Sequence, residues 1–561
     1  MQRYALAYMM ICQRRIIVRD NTKGQEYATL LFSMLSLLVS VDCLHFHIFC
    51  SIIQDKPKIL TVSYNKNIYC EKETEDIIEL TRDMGMNGGR LMHPNNKTDR
   101  LREQLLTEGV IWKQLVLFSI PIMVGTLFQQ LYNMIDAIVV GNFVGITALA
   151  AVGGSTQQII GLILGFFLEV SAGAAVLIAQ YYGGRDREKL SDALHTTIAF
   201  CIVSGIALSL IGYFLAPVFL RWMNTPEDTM QGAVLYLKIY FCGIIFLLFY
   251  NVGAAILRAV GDTRKPLYYL IVCCALNTVL DLLLVIVFDL GVFGVAAATV
   301  FSQAISALLV LIALLRTDDI YRLSVRRIAI CGDSLTKMLR IGIPMGMQAL
   351  MYSSANIIIQ MGLNHLGTDT VAAWTVVTKI DAFYWMVLTG FGIAITTFAG
   401  QNYGAEKYGR VLKGVSVCVR LTLFISIGMS LLFLVCSRGL FAIFTTDQRV
   451  MEIGVRILTY MAPAYPLFVF IEIYSGALRG MGDVIVPTIM TCFGICIFRI
   501  AWMLIVVPLK PMVEVVTLSH PVSWGVTAVM YIVYWNIKKK KLVEKGDQQN
   551  EKRDFNLDRQ Q

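Results

Sequence analysis

A succession of apolar segments, each about as long as a bilayer demands, constrains this chain more than any other feature. Twelve follow Val110, at 113–138, 148–178, 193–217, 233–257, 266–288, 292–315, 338–362, 371–398, 412–435, 455–477, 486–508 and 517–537. A hydrocarbon core of about 30 Å takes about 20 apolar residues of helix to cross. Backbone groups in lipid must be satisfied within the protein, which leaves helices or a closed barrel, and a barrel would read as short alternating segments. Composition agrees: 56% of the 561 residues are hydrophobic, only 16% are charged, and the mean hydropathy is +0.64. The expected fold is an all-α integral membrane protein of twelve transmembrane helices.

The net charge of +9 is distributed as topology rather than as a nucleic-acid groove. Turns after even-numbered segments carry Arg185, Arg187 and Lys189, then Arg258, Arg264 and Lys265, then Arg316 to Arg340, then Lys407, Arg410 and Lys413. Positive charge stays on the cytoplasmic side, so the chain is expected to enter the first segment from the cytoplasm; the Lys538 to Lys541 run puts the C-terminus there too. The 13 cysteines form no paired CxxC units and read as small apolar helix residues. No Walker-type Gly-Lys-Ser/Thr follows Gly183-Gly184-Arg185, and no Ser/His/Asp or HExxH arrangement is visible, so neither an ATP-driven pump nor an enzyme is expected, and no cofactor.

The chain repeats itself. Gln180, Tyr182 and Gly183 recur as Gln401, Tyr403 and Gly404, each 221 positions on. Leu257-Arg258-Ala259-Val260-Gly261-Asp262 recurs as Leu478-Arg479-Gly480-Met481-Gly482-Asp483 at the same offset, and Ile120-Pro121 as Ile343-Pro344. With six segments per repeat both halves enter the membrane from one side, which sets a pseudo-two-fold axis along the membrane normal and a cavity between two six-helix lobes. The domain reading is an extension at 1–105, an N-lobe at 106–316, a basic cytoplasmic linker at 317–337, a C-lobe at 338–537 and a charged cytoplasmic tail at 538–561. Within the extension, the apolar run from Ala28 to Ile53 reads as an extra helix, as a signal-like segment, or as sequence upstream of a true start at Met84, Met86 or Met92.

Two acids stand inside apolar runs of the first half, Asp136 and Asp281. A carboxylate at membrane depth is costly and is by default a functional-site hypothesis with a partner to be found. Asn277 precedes Asp281 by four residues and shares its helix face. Gln129, Gln130, Tyr132 and Asn133 lie within two turns of Asp136, as cavity groups or as polar helix packing. In the second half Asn356 falls near the position equivalent to Asp136, Phe498 replaces Asn277, and Glu472 and Arg499 are read as cavity residues or as an ion pair between helices. Met351 and Tyr384, with Met123, Met347, Phe383 and Trp385, read as soft apolar and aromatic faces for an amphipathic cation or as lipid-facing and helix-packing surface.

From about Val110 to Ile537 the sequence resembles the multidrug and toxic compound extrusion (MATE) family. The resemblance is carried by the Ile-Pro opening, Gln130-Leu131-Tyr132-Asn133-Met134-Ile135-Asp136, the Ala179 to Gly184 turn, the Leu257 to Thr263 turn, Asn277 to Asp281 and Gly476 to Gly480. It implies a monomeric multi-pass exporter of the plasma membrane, moving cationic or amphipathic organic compounds against Na⁺ or H⁺ by alternating access. In one branch of the family, acids similar to Asp136 and Asp281 and an Asn similar to Asn277 bind the coupling cation. The chemistry fits, because oxygen ligands suit Na⁺ and a carboxylate held out of water can also carry a proton. The other branch uses acids in the seventh and tenth spans, where Tyr352, Ser353 and Ser354 and an offset Glu472 stand here, so coupling is expected in the N-lobe. Two alternatives remain open, a lipid-linked precursor flippase of the same superfamily and a non-transporting sensor or scaffold. A flippase would need interior cations, and the sequence offers Arg420 and Arg499.

Overall fold

A computed structural model describes residues 106–558, with side chains through residue 549. The readings of the extension therefore lie outside the described residues, apart from the expectation that the first span starts near Val110. Every described element is helical, and the long ones form twelve units. These are α1 (Ile111–Val144), α2 (Ile146–Gly183), α3 (Arg187–Trp222), α4 (Glu227–Ala259), α5 (Arg264–Val287) and α6 (Gly291–Arg316) in the first half. In the second half they are α7 (Gly332–Asn364), α8 (Thr368–Gly404), α9 (Tyr408–Val435), α10 (Gln448–Gly480), α11 (Ile485–Leu509) and α12 (Val513–Asp558).

Eleven of the twelve are long and apolar enough to cross a membrane. The exception is α7, 33 residues long, whose apolar character is diluted by Gln348, Tyr352 and Asn356, all of which line an internal cavity. Most helices outrun their apolar segments by a turn or more, because helical hydrogen bonding continues into the polar boundary where hydropathy has already fallen. On the outside, apolar side chains such as Phe214, Phe424 and Leu504 stay exposed, the surface a lipid solvent requires.

The repeat survives at the level of the backbone. Gly261 and Gly482 end α4 and α10 with φ of +102° and +83°, where a side chain would strain the turn. At both turns the next residue, Asp262 or Asp483, donates its N–H back to Leu257 or Leu478, closing the helix in the same way.

Each half has its own core, yet the first helix of each half is shared. Leu115 and Phe118 of α1 pack in the core of the second half, whereas Val139 and Val140 of the same helix belong to the core of the first. The early part of α7 mirrors this by packing Met338, Ile341 and Met345 on Ala174 and Leu177 of α2, while Ile359 and Leu363 pack on Met503 and Val507 of α11. The two halves therefore cross over at the end of the bundle where α2 and α8 finish.

Small residues make that crossing possible. A Cβ on Gly183 would stand 2.0 Å from the Gln401 carbonyl oxygen, and one on Gly404 would stand 1.9 Å from that of Gln180. Gly342 and Gly173 allow a close backbone approach of α7 to α2, where an added Cβ would stand 2.4 Å from Val170 O and 2.7 Å from Gly342 N, respectively. Two glutamines then bond across in a reciprocal manner: Gln180 Nε2 donates to Gly480 O at 2.8 Å, and Gln401 Nε2 donates to Ala259 O at 2.8 Å. Donors and acceptors are both related by the repeat, as in an isologous interface. Gln401 Oε1 also accepts from Leu106 N–H, and Arg410 binds the Leu106 and Glu108 carbonyls, tying the segment before α1 to the second half.

Candidate functional site

The sequence brings Asp136 to α1 and Asn277 and Asp281 to α5, two helices packed side by side. The i, i+4 spacing turns Asn277 and Asp281 to one face, and both are fully buried. With its amide nitrogen toward the acids, Asn277 donates to Asp136 Oδ1 at 2.8 Å and to Asp281 Oδ2 at 3.3 Å; the opposite orientation sets its carbonyl oxygen against both carboxylates. Asp281 Oδ1 is buried without a partner among the described residues. Tyr132 interacts with Asp136 and places its hydroxyl 3.5 Å from Thr299 of α6, and Tyr236 of α4 faces both acids.

Both acids lie next to departures from regular α-helix. Asp281 is the last residue before a π-helical turn at Leu282–Val287, and Asp136 precedes one at Val140–Val144 by four residues. Such turns widen the helix and loosen its hydrogen bonding, and they are common at functional sites. The arrangement gathers carboxylate, amide and phenol oxygens, a donor set suited to a hard cation rather than a transition metal.

The other candidate residues are spread through the bundle, and Glu472 and Arg499 line cavities as the sequence suggests. Gln129, Gln130 and Asn133 are exposed, and Met351 lines neither of the two cavities described below. Tyr384 is a correction: it is 1% exposed, donates to Tyr465 O at 2.7 Å and stacks on the Tyr465 ring, so it supports packing while its neighbour Trp385 faces the cavity. Glu472 and Arg499 form no ion pair. Arg499 Nε donates to Ser523 Oγ of α12 at 3.0 Å, and Glu472 lies against Gly392 of α8. Arg420 is exposed on its helix and is not an interior cation.

The structure adds charged residues that the sequence reading passed over. A cavity of about 460 Å³ between the halves is lined by Glu169 of α2, Arg258 of α4 and Arg479 of α10, beside the expected Glu472. Arg258 and Arg479 are repeat partners that read as turn residues, but the last turns of α4 and α10 carry them inside. A second cavity of about 520 Å³ in the second half holds Asp381, which accepts a short hydrogen bond from the Tyr465 hydroxyl, and Arg499. Glu169 and Asp381 stand within apolar runs, so the criterion that singles out Asp136 would have found them too.

An apolar-surfaced bundle of twelve helices in two related halves, with a half-buried and a fully buried acid paired in one and charged cavities between and within them, defines a multi-pass membrane protein of the transporter type. The MatE family model matches residues 121–283 and again 344–505, once in each half, and the chain belongs to that family. It is 30% identical over 393 residues to the probable multidrug resistance protein YoeA of Bacillus subtilis, covering 69% of this chain and 84% of that protein. It is 24% identical to the multidrug export protein MepA of Staphylococcus aureus, over 68% of this chain and 84% of MepA. Among solved structures, the fold matches a MOP superfamily transporter from Pyrococcus furiosus with a TM-score of 0.73 at 22% identity, over 78% of this chain and 98% of that one. An outward-facing multidrug resistance MATE family transporter gives 0.72 at 23% identity, with the same coverage. Family and relatives are transporters rather than enzymes.

Proposed function

We propose that this protein is a secondary active multidrug exporter that antiports cationic or amphipathic organic compounds against Na⁺ or H⁺ by alternating access. The observation that carries the reading is the Asn277 amide set between the carboxylates of Asp136 and Asp281. Two ionised acids on neighbouring helices repel one another, and a shared proton, the Asn277 amide or a bound cation relieves that repulsion. The amide can donate to both, or turn over and offer its oxygen as a third ligand to a cation. Because α1 also packs in the core of the second half, a cation that draws α1 and α5 together favours one arrangement of the halves, and it shifts the equilibrium only by its differential affinity for the two states. Support also comes from relatives named for multidrug resistance and export. In this reading the working units are lobes at 106–316 and 338–537 joined by the basic linker at 317–337. The protein acts as a monomer in the plasma membrane, with the basic turns and the 538–561 tail in the cytoplasm.

The test is efflux of a fluorescent organic cation from vesicles holding the purified protein, driven in turn by an imposed Na⁺ gradient and an imposed pH gradient. Wild type should respond to one of them, and Asp136→Asn should abolish that response while reaching the membrane in normal amount. Full efflux in Asp136→Asn would sink the assignment. The flippase reading keeps one specific support, since Arg258, Arg479 and Arg499 line cavities where a phosphate could sit. Movement under neither gradient, with lipid-linked phosphate substrates moving instead, would favour it.

A further inference from the structure

Two residues lining the second-half cavity each carry a buried hydrogen-bond donor with no acceptor among the described residues. Arg499 is 3% exposed and Trp524 is 1% exposed, and both line the 520 Å³ space among α7, α8, α10, α11 and α12. Arg499 uses Nε on Ser523 Oγ, but its Nη2 has no partner among the described residues, and neither has Trp524 Nε1. No carboxylate among the described residues forms an ion pair with Arg499. Asp381, on the same cavity wall, is engaged by the Tyr465 hydroxyl. A buried guanidinium without a counter-ion and a buried indole N–H without an acceptor are each costly, and such groups call for a missing partner. The guanidinium lies over the Trp524 ring, 5.7 Å from its centroid, so the two donors sit together. Trp374, Trp385 and Phe468 supply an aromatic wall to the same space, which has the size of a small-molecule site; the rest of its lining is largely polar, with Arg479 and the carboxylates of Asp381 and Glu472 in addition to Arg499.

We propose that this cavity binds an organic anion, an aromatic or amphipathic molecule whose carboxylate, sulfonate or phosphate accepts from Arg499 Nη2 and Trp524 Nε1. The inference adds an anionic substrate class to the cationic one. It rests on the transporter reading for the passage of the ligand, not for its binding.

Isothermal titration calorimetry of the full chain in lipid nanodiscs, with naphthalene-2-sulfonate and the matched cation naphthalen-2-ylmethylammonium, tests it. Wild type should bind the sulfonate; Arg499→Gln should weaken it by about tenfold or more, the usual scale for losing a charged hydrogen bond. Arg499→Lys should retain more affinity than Arg499→Gln. Trp524→Phe keeps the ring and removes only the N–H; it should weaken sulfonate binding several-fold and leave the ammonium probe unmoved. That variant carries the test if Arg499→Gln does not fold. Equal sulfonate affinity in wild type and in the variants that fold, or no sulfonate binding by wild type, overturns the proposal. Cation export by wild type under an ion gradient, measured in parallel, separates the two readings. Export without sulfonate binding refutes the anion site alone, and Arg499-dependent sulfonate binding without export refutes the antiport reading alone.

Discussion

Replacing Gly404 with alanine plants a methyl group 1.9 Å from the Gln180 carbonyl oxygen, backbone against backbone, where no side-chain rotation can make room. Reaching ordinary contact requires α8 to move away from α2 by about 1.5 Å, on the scale of contact distances near 3.5 Å. That displacement also lengthens the reciprocal Gln180–Gly480 and Gln401–Ala259 hydrogen bonds, each now 2.8 Å. Overpacking of this kind costs about 1–3 kcal/mol, and it is felt only while this end of the bundle is closed. Relative to a state in which the halves part here, the closed state should lose about 5- to 150-fold in population, at 1.4 kcal/mol for each factor of ten. Spin labels on the exposed residues Glu188 and Glu406, attached through non-natural side chains so that the native cysteines stay untouched, would read the change by pulsed electron resonance. Wild type should give mainly the short distance and Gly404→Ala a dominant or strongly enlarged long-distance population, with Gly183→Ala, its repeat partner, behaving alike. An unchanged distance distribution in a correctly folded Gly404→Ala protein would refute the view that this contact holds the end shut.

Further outcomes follow from other contacts. Gln401→Ala removes the bond to Ala259 O and leaves the buried Leu106 N–H unpaired, so thermal unfolding in detergent should show a loss of about 1–3 kcal/mol. Tyr384→Phe should lower stability by about 1 kcal/mol through its lost bonds to Tyr465 O and Ser426. Because its ring faces packing rather than cavity, it should leave cation export unaltered, and a large loss of export with normal stability would return it to the substrate site. Gly482→Ala forces a side chain into φ of +83° at the end of α10 and should cost about 1 kcal/mol, measured by chemical unfolding. Asn277→Leu removes the amide that contacts both acids and should abolish gradient-driven efflux as completely as Asp281→Asn does; retention in either would disconnect the trio from coupling.

What the sequence determined by itself is what depends on length, spacing and repetition. Segments of bilayer length specify spanning helices, the 221-residue offset specifies two related halves, and a four-residue interval puts Asn277 and Asp281 on one face. Those signals are local along the chain, so they can be read without coordinates. The tertiary structure decided which face of each helix meets protein and which meets lipid. Lipid tails and protein interiors are nearly equally apolar, so hydropathy does not distinguish a buried Tyr384 from an exposed Phe383, and α7 reads as polar because one side of it lines a cavity. Arg258 and Arg479 stand next to polar turns and so look like the basic residues of a cytoplasmic turn, although the last turn of each helix carries them to a cavity wall. The position of the Asn277 amide between two acids on different helices, and the missing partner of Arg499, arise only where helices distant in sequence meet.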